Sequence, residues 1–518
     1  MTRLSLTRRG LMAATGTVGV ASLLAPRFAL SQEGSRLIAR SYSDLQVLDP
    51  AFRLSAPEGD IMECIYTRLV HRVPGDSWEW ELDGAESINQ IDDTHIEFAL
   101  RPGIMFTNGF GEMTADDVKF SYERVADPAM ESPYADDWAV LDHVEVTGKY
   151  TGVIILKEPF VPLWTTTLPT PTSCILSRAA VESVGGRFEA VPPATAGPYN
   201  LTSWEPRQMT VLTVNPDWTG RVPDYEEIHI LPIEDERTAE LGLEAGDLDY
   251  TWVAVSSIKR LEEAPPEGTK LVRKPSLAYV WLGMNVEHPP FDDQRVRRAV
   301  QHAIDVPLVL DAAYFGAADP ATGIIAPGLV GHRDANLYGY DPDRARELLA
   351  EAGFADGFDC TIDILNKQER LGVAQAVQAL LAEVGIRVTI QQRDSGTFWT
   401  LGSEEAGEAW RDIQLLVQRF SMEPDPSWAT AWFTPDQIGV WNWERFNSEE
   451  FGELHRQGLV EQDTEARDGI YKRMQDLMEE SGAYVFLTHE SVGVLHRDGV
   501  EPALWPNGTP QFTDFKKA

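Results

Sequence analysis

YVWLGMNVEHPPFDDQRVRRAVQHAID, at residues 279–305, changes its hydrophobic period halfway along. Its first part is the apolar run Val280 to Met284, and Pro289 and Pro290 then interrupt it. The second part has apolar residues at helical spacing on one face, namely Val296, Ala299, Val300, Ala303 and Ile304. This pattern predicts a buried strand, a turn and an amphipathic helix, which together form an α/β unit.

The charges of this stretch support the helix. Asp292 and Asp293 precede it, where carboxylates interact favourably with the positive end of the helix dipole. Arg295, Arg297 and Arg298 lie off the apolar stripe.

Length and composition describe a large, acidic globular protein. The chain has 518 residues, 43% of them hydrophobic, which suits two or three domains with substantial cores. Its formal net charge of −37 makes binding to nucleic acid or anionic lipid very unfavourable. The three cysteines, Cys64, Cys174 and Cys360, show no C-x-x-C spacing, so buried free thiols are expected, with at most one bridge.

The first 31 residues have the pattern of an export signal. Basic residues precede a mildly apolar stretch at 10–24, which is too short and weak to span a membrane. Arg8 and Arg9 resemble the twin-arginine export motif, and an ordinary secretory signal is the alternative. We expect the mature protein to be free in the periplasm of a Gram-negative bacterium.

The remaining chain alternates strands and helices. Strands are predicted at 37–42, 96–100 and 386–390, and helices at 60–69 and 238–246. Thr114 and Asp117 have the spacing of a capping box, and apolar residues at helical spacing follow them. Further helices are predicted after Asp341, and through Val373, Val377, Leu380, Leu381 and Val384.

Several motifs together resemble the family 5 extracellular solute-binding proteins, the peptide, nickel and opine receptors of ABC importers. The resemblance covers nearly the whole mature chain and continues through residues 446–448 and 467–471. In addition to 285–305, the motifs are Leu48-Asp49-Pro50, Leu100 to Gly103 with Phe106, Thr114 to Val118, Gly197-Pro198-Tyr199 and Asn215-Pro216-Asp217.

The resemblance implies a large two-lobed periplasmic binding protein fold of the α/β class. An extra subdomain is inserted in the first lobe, and two crossovers join the lobes. The implied division is a signal peptide at 1–31, lobe I at 32–73, 190–272 and 490–518, the inserted subdomain at 74–189, and lobe II at 273–489.

Motifs of covalent chemistry are not apparent in the sequence. It contains no Gly-x-Ser-x-Gly, and His489-Glu490 is followed by Gly493 where a zinc-protease helix needs its second histidine. The ten histidines show no ligand spacing. We therefore expect a protein that is not an enzyme and that needs neither cofactor nor metal, with a periplasmic hydrolase as the less favoured alternative.

The resemblance also indicates which segments line the cleft between the lobes. Peptide receptors of this family place three loops beside the ligand. The residues at the corresponding positions are Leu54, Ser55 and Ala56; Ser132, Pro133, Tyr134 and Trp138; and Trp252, Val253 and Ala254.

A fourth segment, residues 418–426, departs from the family pattern. Peptide receptors have an aspartate four residues before its final proline to hold the ligand ammonium, and here that position is Met422. One reading is a cleft of Trp252, Phe420 and Met422 in which Arg419 binds a carboxylate. The other is that Arg419 makes a structural ion pair and that Glu423 or Asp425 supplies the missing acid.

The sequence thus predicts a monomeric receptor that closes around a small ligand and delivers it to an ABC permease in the inner membrane. A peptide or peptide-like ligand is favoured. An oligosaccharide, an opine or a carboxylated aromatic remains open, as does a chaperone-like role. Neither nucleic-acid binding nor membrane insertion of the mature protein is expected.

Overall fold

The computed structural model describes residues 35–518. The predicted export signal, with Arg8 and Arg9, lies outside the described residues.

The strands in this part of the chain are β1 Arg36–Ser41, β2 Val70–Arg72, β3 Trp80–Leu82, β4 Ala85–Gln90, β5 His95–Leu100, β6 Met105–Phe106, β7 Gly111–Glu112, β8 Leu141–Val146, β9 Thr151–Leu156, β10 Tyr199–Glu205, β11 Met209–Val214, β12 Glu227–Pro232, β13 Tyr250–Val253, β14 Thr269–Met284, β15 Phe358–Leu365, β16 Ile386–Arg393, β17 Leu415–Ser421, β18 Tyr484–Arg497, β19 Val500–Glu501 and β20 Lys516–Lys517.

The α-helices are α1 Ala56–Ile65, α2 Ala115–Ala126, α3 Arg178–Ser183, α4 Glu236–Ala245, α5 Val255–Glu263, α6 Gln294–Ala303, α7 Val306–Tyr314, α8 Pro342–Glu351, α9 Gln368–Glu383, α10 Ser395–Phe398, α11 Pro426–Ala431, α12 Glu449–Val460 and α13 Thr464–Ser481.

One mixed sheet of ten strands runs through the molecule in the order β10-β11-β12-β1-β13-β18-β14-β17-β15-β16. Its two central strands, β14 and β18, are antiparallel and are the longest, with 16 and 14 residues. On one side of this pair, β18 is hydrogen-bonded to β13, and on the other side β14 is hydrogen-bonded to β17. The mixed α/β class is therefore confirmed, while the lobe boundaries stay a prediction.

Separate hydrophobic cores lie on either side of the β14–β18 pair. Helices α6 to α9 cover the sheet around β14, β15 and β17 and bury residues such as Leu282, Val300 and Val377. The other half of the sheet buries Leu37, Ile228 and Tyr250. A second sheet, in the order β4-β5-β9-β8, packs against α2 through a core that contains Phe98, Val118, Tyr122 and Ile154.

The strand, turn and helix predicted at 279–305 are confirmed. The strand begins earlier, at Thr269, and α6 begins after Asp293, whose side chain accepts a hydrogen bond from the Arg295 amide. Arg297 lies off the apolar stripe as predicted, yet it is buried. Its guanidinium donates to the carbonyls of Phe291 and Ser481, which satisfies its charge inside the protein.

The other predicted elements agree with the structure apart from their ends. The helix predicted at 60–69 is α1, which begins four residues earlier because Ser55 and Glu58 form a capping box there. The capping box of Thr114 and Asp117 is confirmed. All three cysteines are free and buried, also as predicted.

A buried ion pair should be important for the stability of this fold. The Arg124 guanidinium of α2 donates two hydrogen bonds to the Asp49 carboxylate, at 2.9 and 2.6 Å, and both side chains are almost inaccessible. Arg124→Ala leaves Asp49 buried without its partner, so we expect a loss of ~3–5 kcal/mol in unfolding free energy. Chemical denaturation measures this loss.

Arg178→Ala is the matched control. This arginine is exposed and pairs with Glu182 on α3. Its removal should change the unfolding free energy by less than ~0.5 kcal/mol. Equal effects of the two substitutions would contradict a structural role for the buried pair.

Candidate functional site: a charged cleft between the lobes

A cavity of about 360 Å³ lies where β14 passes from one half of the sheet to the other. One wall comes from α1 and from the segments at 134–137 and 166–172. The opposite wall comes from the end of β17 and the residues after it. Its volume falls in the range of ~300–1,000 Å³ that is typical of small-molecule sites.

The two sides of the cleft touch each other. The Thr165 hydroxyl donates to the Asp425 carboxylate at 2.9 Å, and the Val161 amide donates to the Leu459 carbonyl at 2.8 Å. These bonds join the inserted segment to α11 and α12, so the cavity is bounded by lobes in contact.

Three acids on the cavity wall have no cation within ion-pair distance among the described residues: Asp60, Asp137 and Glu423. Asp60 is only 8% exposed, and burial, then the charge of Glu63, raises its pKa well above the usual value. Burial and the nearby Glu423 raise the pKa of Asp137 to about 7. Both carboxyl groups therefore hold their protons more tightly than exposed ones do.

Two cations on the same wall lack a carboxylate partner within the described chain. Arg53 lies over the Tyr134 ring, 5.2 Å from its centroid. Arg72 is 4% exposed and lies between the rings of Trp78 and Trp505, at 5.4 and 5.1 Å. Burial lowers the pKa of Arg72 to about 10.

The cleft thus holds acidic and basic side chains that form no ion pair with each other at contact distance among the described residues. Charged groups removed from water without a partner are costly, and their cost falls when an opposite charge reaches them. A ligand with a positive and a negative group complements this arrangement.

Four of the predicted site residues lie on the wall of this cavity: Ala56, Tyr134, Arg419 and Met422. Met422 is 4% exposed. The sequence left open whether Glu423 or Asp425 replaces the acid that is missing at Met422. Glu423 faces the cavity. Asp425 instead caps α11 and accepts hydrogen bonds from the Arg467 guanidinium at 2.8 and 2.9 Å. Asp425 is therefore structural, and of these two acids Glu423 is the one that a ligand can reach.

Arg419 makes a structural ion pair, which was one of the two alternatives predicted for it from the sequence. Its Nε donates to the Glu490 carboxylate at 2.9 Å, and its Nη1 donates to the Ser421 hydroxyl at 3.0 Å. Glu490 also accepts hydrogen bonds from Arg370 and Tyr314. These arginines hold the pKa of Glu490 below its usual value although burial opposes them.

The structure places the other predicted site residues away from this cavity. Ser55 caps α1, and Val253 belongs to a separate core. Trp138 is fully buried against Tyr122, with ring centroids 4.2 Å apart. It therefore belongs to the core of the inserted segment.

Two aromatic residues are similarly engaged elsewhere. Trp252 packs beside Tyr42, with ring centroids 6.1 Å apart. Phe420 alternates with Arg419 along β17 and so points to the opposite face, where it contacts Trp281 at 5.1 Å.

Sequence reasoning missed Asp60, Asp137, Arg53 and Arg72. The sequence could have indicated that Asp60 is buried, because this acid lies on a helix with the apolar neighbours Ile61, Met62 and Ile65. Between residues 35 and 518, no group of three or more His, Cys, Asp or Glu side chains is arranged to hold a metal ion. No helix in that part is long and apolar enough to cross a membrane.

Comparisons with known proteins agree with this architecture. Residues 79–438 match the model of the middle part of the bacterial extracellular solute-binding proteins, family 5. The glutathione-binding protein GsiB of Escherichia coli K12 is 27% identical over 420 residues, which are 80% of this chain and 81% of GsiB.

Two solved structures share the fold. HbpA2 from Haemophilus parasuis has a TM-score of 0.83 at 22% identity and covers 93% of this chain and all of its own. DppA from Helicobacter pylori, in complex with the peptide STSA, has a TM-score of 0.72 at 24% identity and covers 93% of this chain and 98% of its own. The predicted two-lobed binding-protein fold is confirmed.

The family match covers more than half of the chain, and both the fold and the charged cleft between lobes agree with it. The protein therefore belongs to the family 5 bacterial extracellular solute-binding proteins, the receptors that deliver solutes to ABC importers.

Proposed function

We propose that this receptor captures a short peptide as a zwitterion and hands it to its permease without chemical change. One observation carries the proposal: acidic and basic side chains without ion-pair partners line one cavity of about 360 Å³. The ammonium group lies at Asp60, Glu423 and Asp137. The terminal carboxylate lies at Arg72 and Arg53.

This arrangement gives Met422 a simple interpretation. The acid that peptide receptors carry at its position is absent, but Glu423 follows it directly and Asp60 faces the same cavity. N-terminal capture is retained by acids at neighbouring positions, while Met422 supplies an apolar contact for a side chain.

The relatives support a peptide ligand. GsiB is named as a glutathione-binding protein, and glutathione is itself a tripeptide with an ammonium group and carboxylates. A neutral oligosaccharide would leave every charged group of the cleft unpaired. A carboxylated aromatic without a cationic group would leave the acids unpaired.

We further propose that the receptor acts in the periplasm, as a monomer, after export through the signal at Arg8 and Arg9. The non-enzymatic role is part of the same proposal, because the family relatives are binding proteins. Recovery of the bound ligand intact after incubation would exclude hydrolysis.

The first test compares alanylalanine with its N-acetylated and its C-amidated forms by calorimetric titration. The free dipeptide should bind, and each blocked form should bind at least about 30-fold more weakly, because each loses a charge that a buried partner needs. Equal affinity of the free and acetylated forms would contradict capture by the acids.

Asp60→Asn should weaken binding of the free dipeptide and should reduce, without abolishing, the further loss on acetylation, because Glu423 and Asp137 still face the ammonium group. Asp116→Asn is its matched control, since Asp116 is an exposed acid in the first turn of α2. A thermal melt of both variants establishes that they are folded.

The raised pKa of Asp137 predicts how stability depends on pH without ligand. An unfolded aspartate loses its proton near pH ~4, whereas folded Asp137 loses it near 7. Between these values the folded state binds more protons, so its stability falls as pH rises from 4 to 7 and is level above that. Asp137→Asn should reduce this fall in melting temperature.

Asp60, whose pKa is also raised, lowers the stability in the same direction as pH rises. Asp137→Asn should therefore reduce the decrease in melting temperature without abolishing it. Asp136→Asn is the control, because Asp136 is the exposed neighbour of Asp137. If both variants keep the full slope, Asp137 does not hold its proton in the cleft.

A further inference from the structure

The hydrogen bond between Thr165 and Asp425 joins the two sides of the cleft through a fixed acceptor. Asp425 is inaccessible, caps α11 and is held by two hydrogen bonds from Arg467 at 2.8 and 2.9 Å. The Thr165 hydroxyl lies 2.9 Å from this carboxylate and 3.2 Å from the Pro162 carbonyl. The shorter contact, to the charged acceptor, is the stronger of the two. The acceptor thus waits in place on one lobe, and closure brings the hydroxyl to it.

A turn of π-helix at Leu163–Thr167 presents Thr165 to this acceptor. Turns of this kind are rare and are frequently found at functional sites. The two residues that follow Thr165 in the turn contact the ligand cavity or its wall. Thr166 lines the cavity, and the Thr167 hydroxyl donates to the Asp137 carbonyl at 3.0 Å. The turn therefore connects the contact between the lobes with the wall of the ligand cavity.

Arg72 reaches the same turn from the side of the ligand cavity. It lines the cavity, and its Nη2 donates to the Thr165 carbonyl. Thr165 thus accepts a hydrogen bond from a cavity cation through its carbonyl and donates one to the opposite lobe through its hydroxyl. A ligand carboxylate at Arg72 lies next to the residue that joins the lobes.

Two further hydrogen bonds join the same faces of the lobes. The Val161 amide donates to the Leu459 carbonyl at 2.8 Å, and the Gln462 side-chain amide donates to the Asp93 carboxylate at 2.9 Å. All three contacts are made by protein groups alone, so they form whenever these faces meet. Asp93 is exposed whereas Asp425 is buried, and a hydrogen bond to a charged group is stronger away from water. The bond to Asp425 should therefore contribute most.

We propose that Thr165 is a positioning residue whose hydroxyl, through Asp425, forms a latch that keeps the cleft closed even without ligand. The latch slows release of a bound ligand, because the ligand leaves only when the lobes separate. The latch itself does not depend on which ligand binds. Its position beside a bound carboxylate at Arg72 rests on the proposed function.

Small-angle X-ray scattering of the mature protein without ligand tests the latch. Thr165→Val keeps the shape of the side chain and removes the hydroxyl, so the ratio of closed to open molecules should fall about tenfold and the radius of gyration should rise. Thr165→Ser keeps the hydroxyl and should scatter as the unsubstituted protein does. Thr202→Val is the matched control, because the exposed Thr202 hydroxyl bonds only within its own sheet, to Thr213, and its loss should leave the scattering unchanged.

The dissociation rate of dialanine, measured by stopped-flow tryptophan fluorescence, tests retention of the ligand. Thr165→Val should release dialanine about tenfold faster than the unsubstituted protein, and Thr165→Ser should restore the slow rate. Gln462→Ala removes one of the exposed contacts between the lobes, so it should change scattering and release in the same direction by less. This variant decides the matter if Thr165→Val does not fold, which a thermal melt establishes.

Identical scattering of the unsubstituted protein, Thr165→Val and Gln462→Ala would overturn the latch, even if dialanine binds as proposed. Changed scattering with an unchanged dissociation rate would overturn its role in retaining the ligand. Absence of dialanine binding would overturn the proposed peptide ligand, while the scattering without ligand would still decide whether the latch exists.

Discussion

The architecture depends on one constraint: two long antiparallel strands, β14 and β18, belong to both halves of the same sheet. Their pairing is irregular between Pro275 and Tyr279, at the point where they pass from one half to the other. Backbone hydrogen bonds hold the halves together on either side of this point. A rotation at this point would open or close the cleft without unfolding either core, and a ligand that binds the closed form better would favour that form.

The buried charged side chains of the cleft destabilise the empty protein and favour ligand binding. The protein satisfies many of its buried charges internally, as Arg124 with Asp49 and Arg467 with Asp425 show. It leaves Asp60, Arg53 and Arg72 without such partners on the cavity wall. The desolvation that these groups suffer is offset when a ligand supplies the opposite charges, so the same feature lowers the stability of the empty closed form and favours binding.

Local signals predicted much of the fold. The change of period at 279–305, the capping box at Thr114 and the motifs shared with the family identified the elements and the two-lobed architecture. The residues that line the cleft were harder to predict, because its walls come from segments far apart in the chain. Sequence spacing does not show that Trp138 stacks within a core or that Arg72 and Asp60 line the same cavity. Only the packing of whole lobes decides this. At 418–426, alternation along β17 separates Arg419 from Phe420, which the resemblance alone had placed together.

The most direct measurement of the central claim is a crystal structure of the mature protein with dialanine bound. The charge arrangement of the cleft predicts the dipeptide between the lobes, its ammonium within ion-pair distance of Asp60 or Glu423 and its carboxylate beside Arg72 or Arg53. A dipeptide bound in the opposite direction, or bound outside the cleft, would contradict the account.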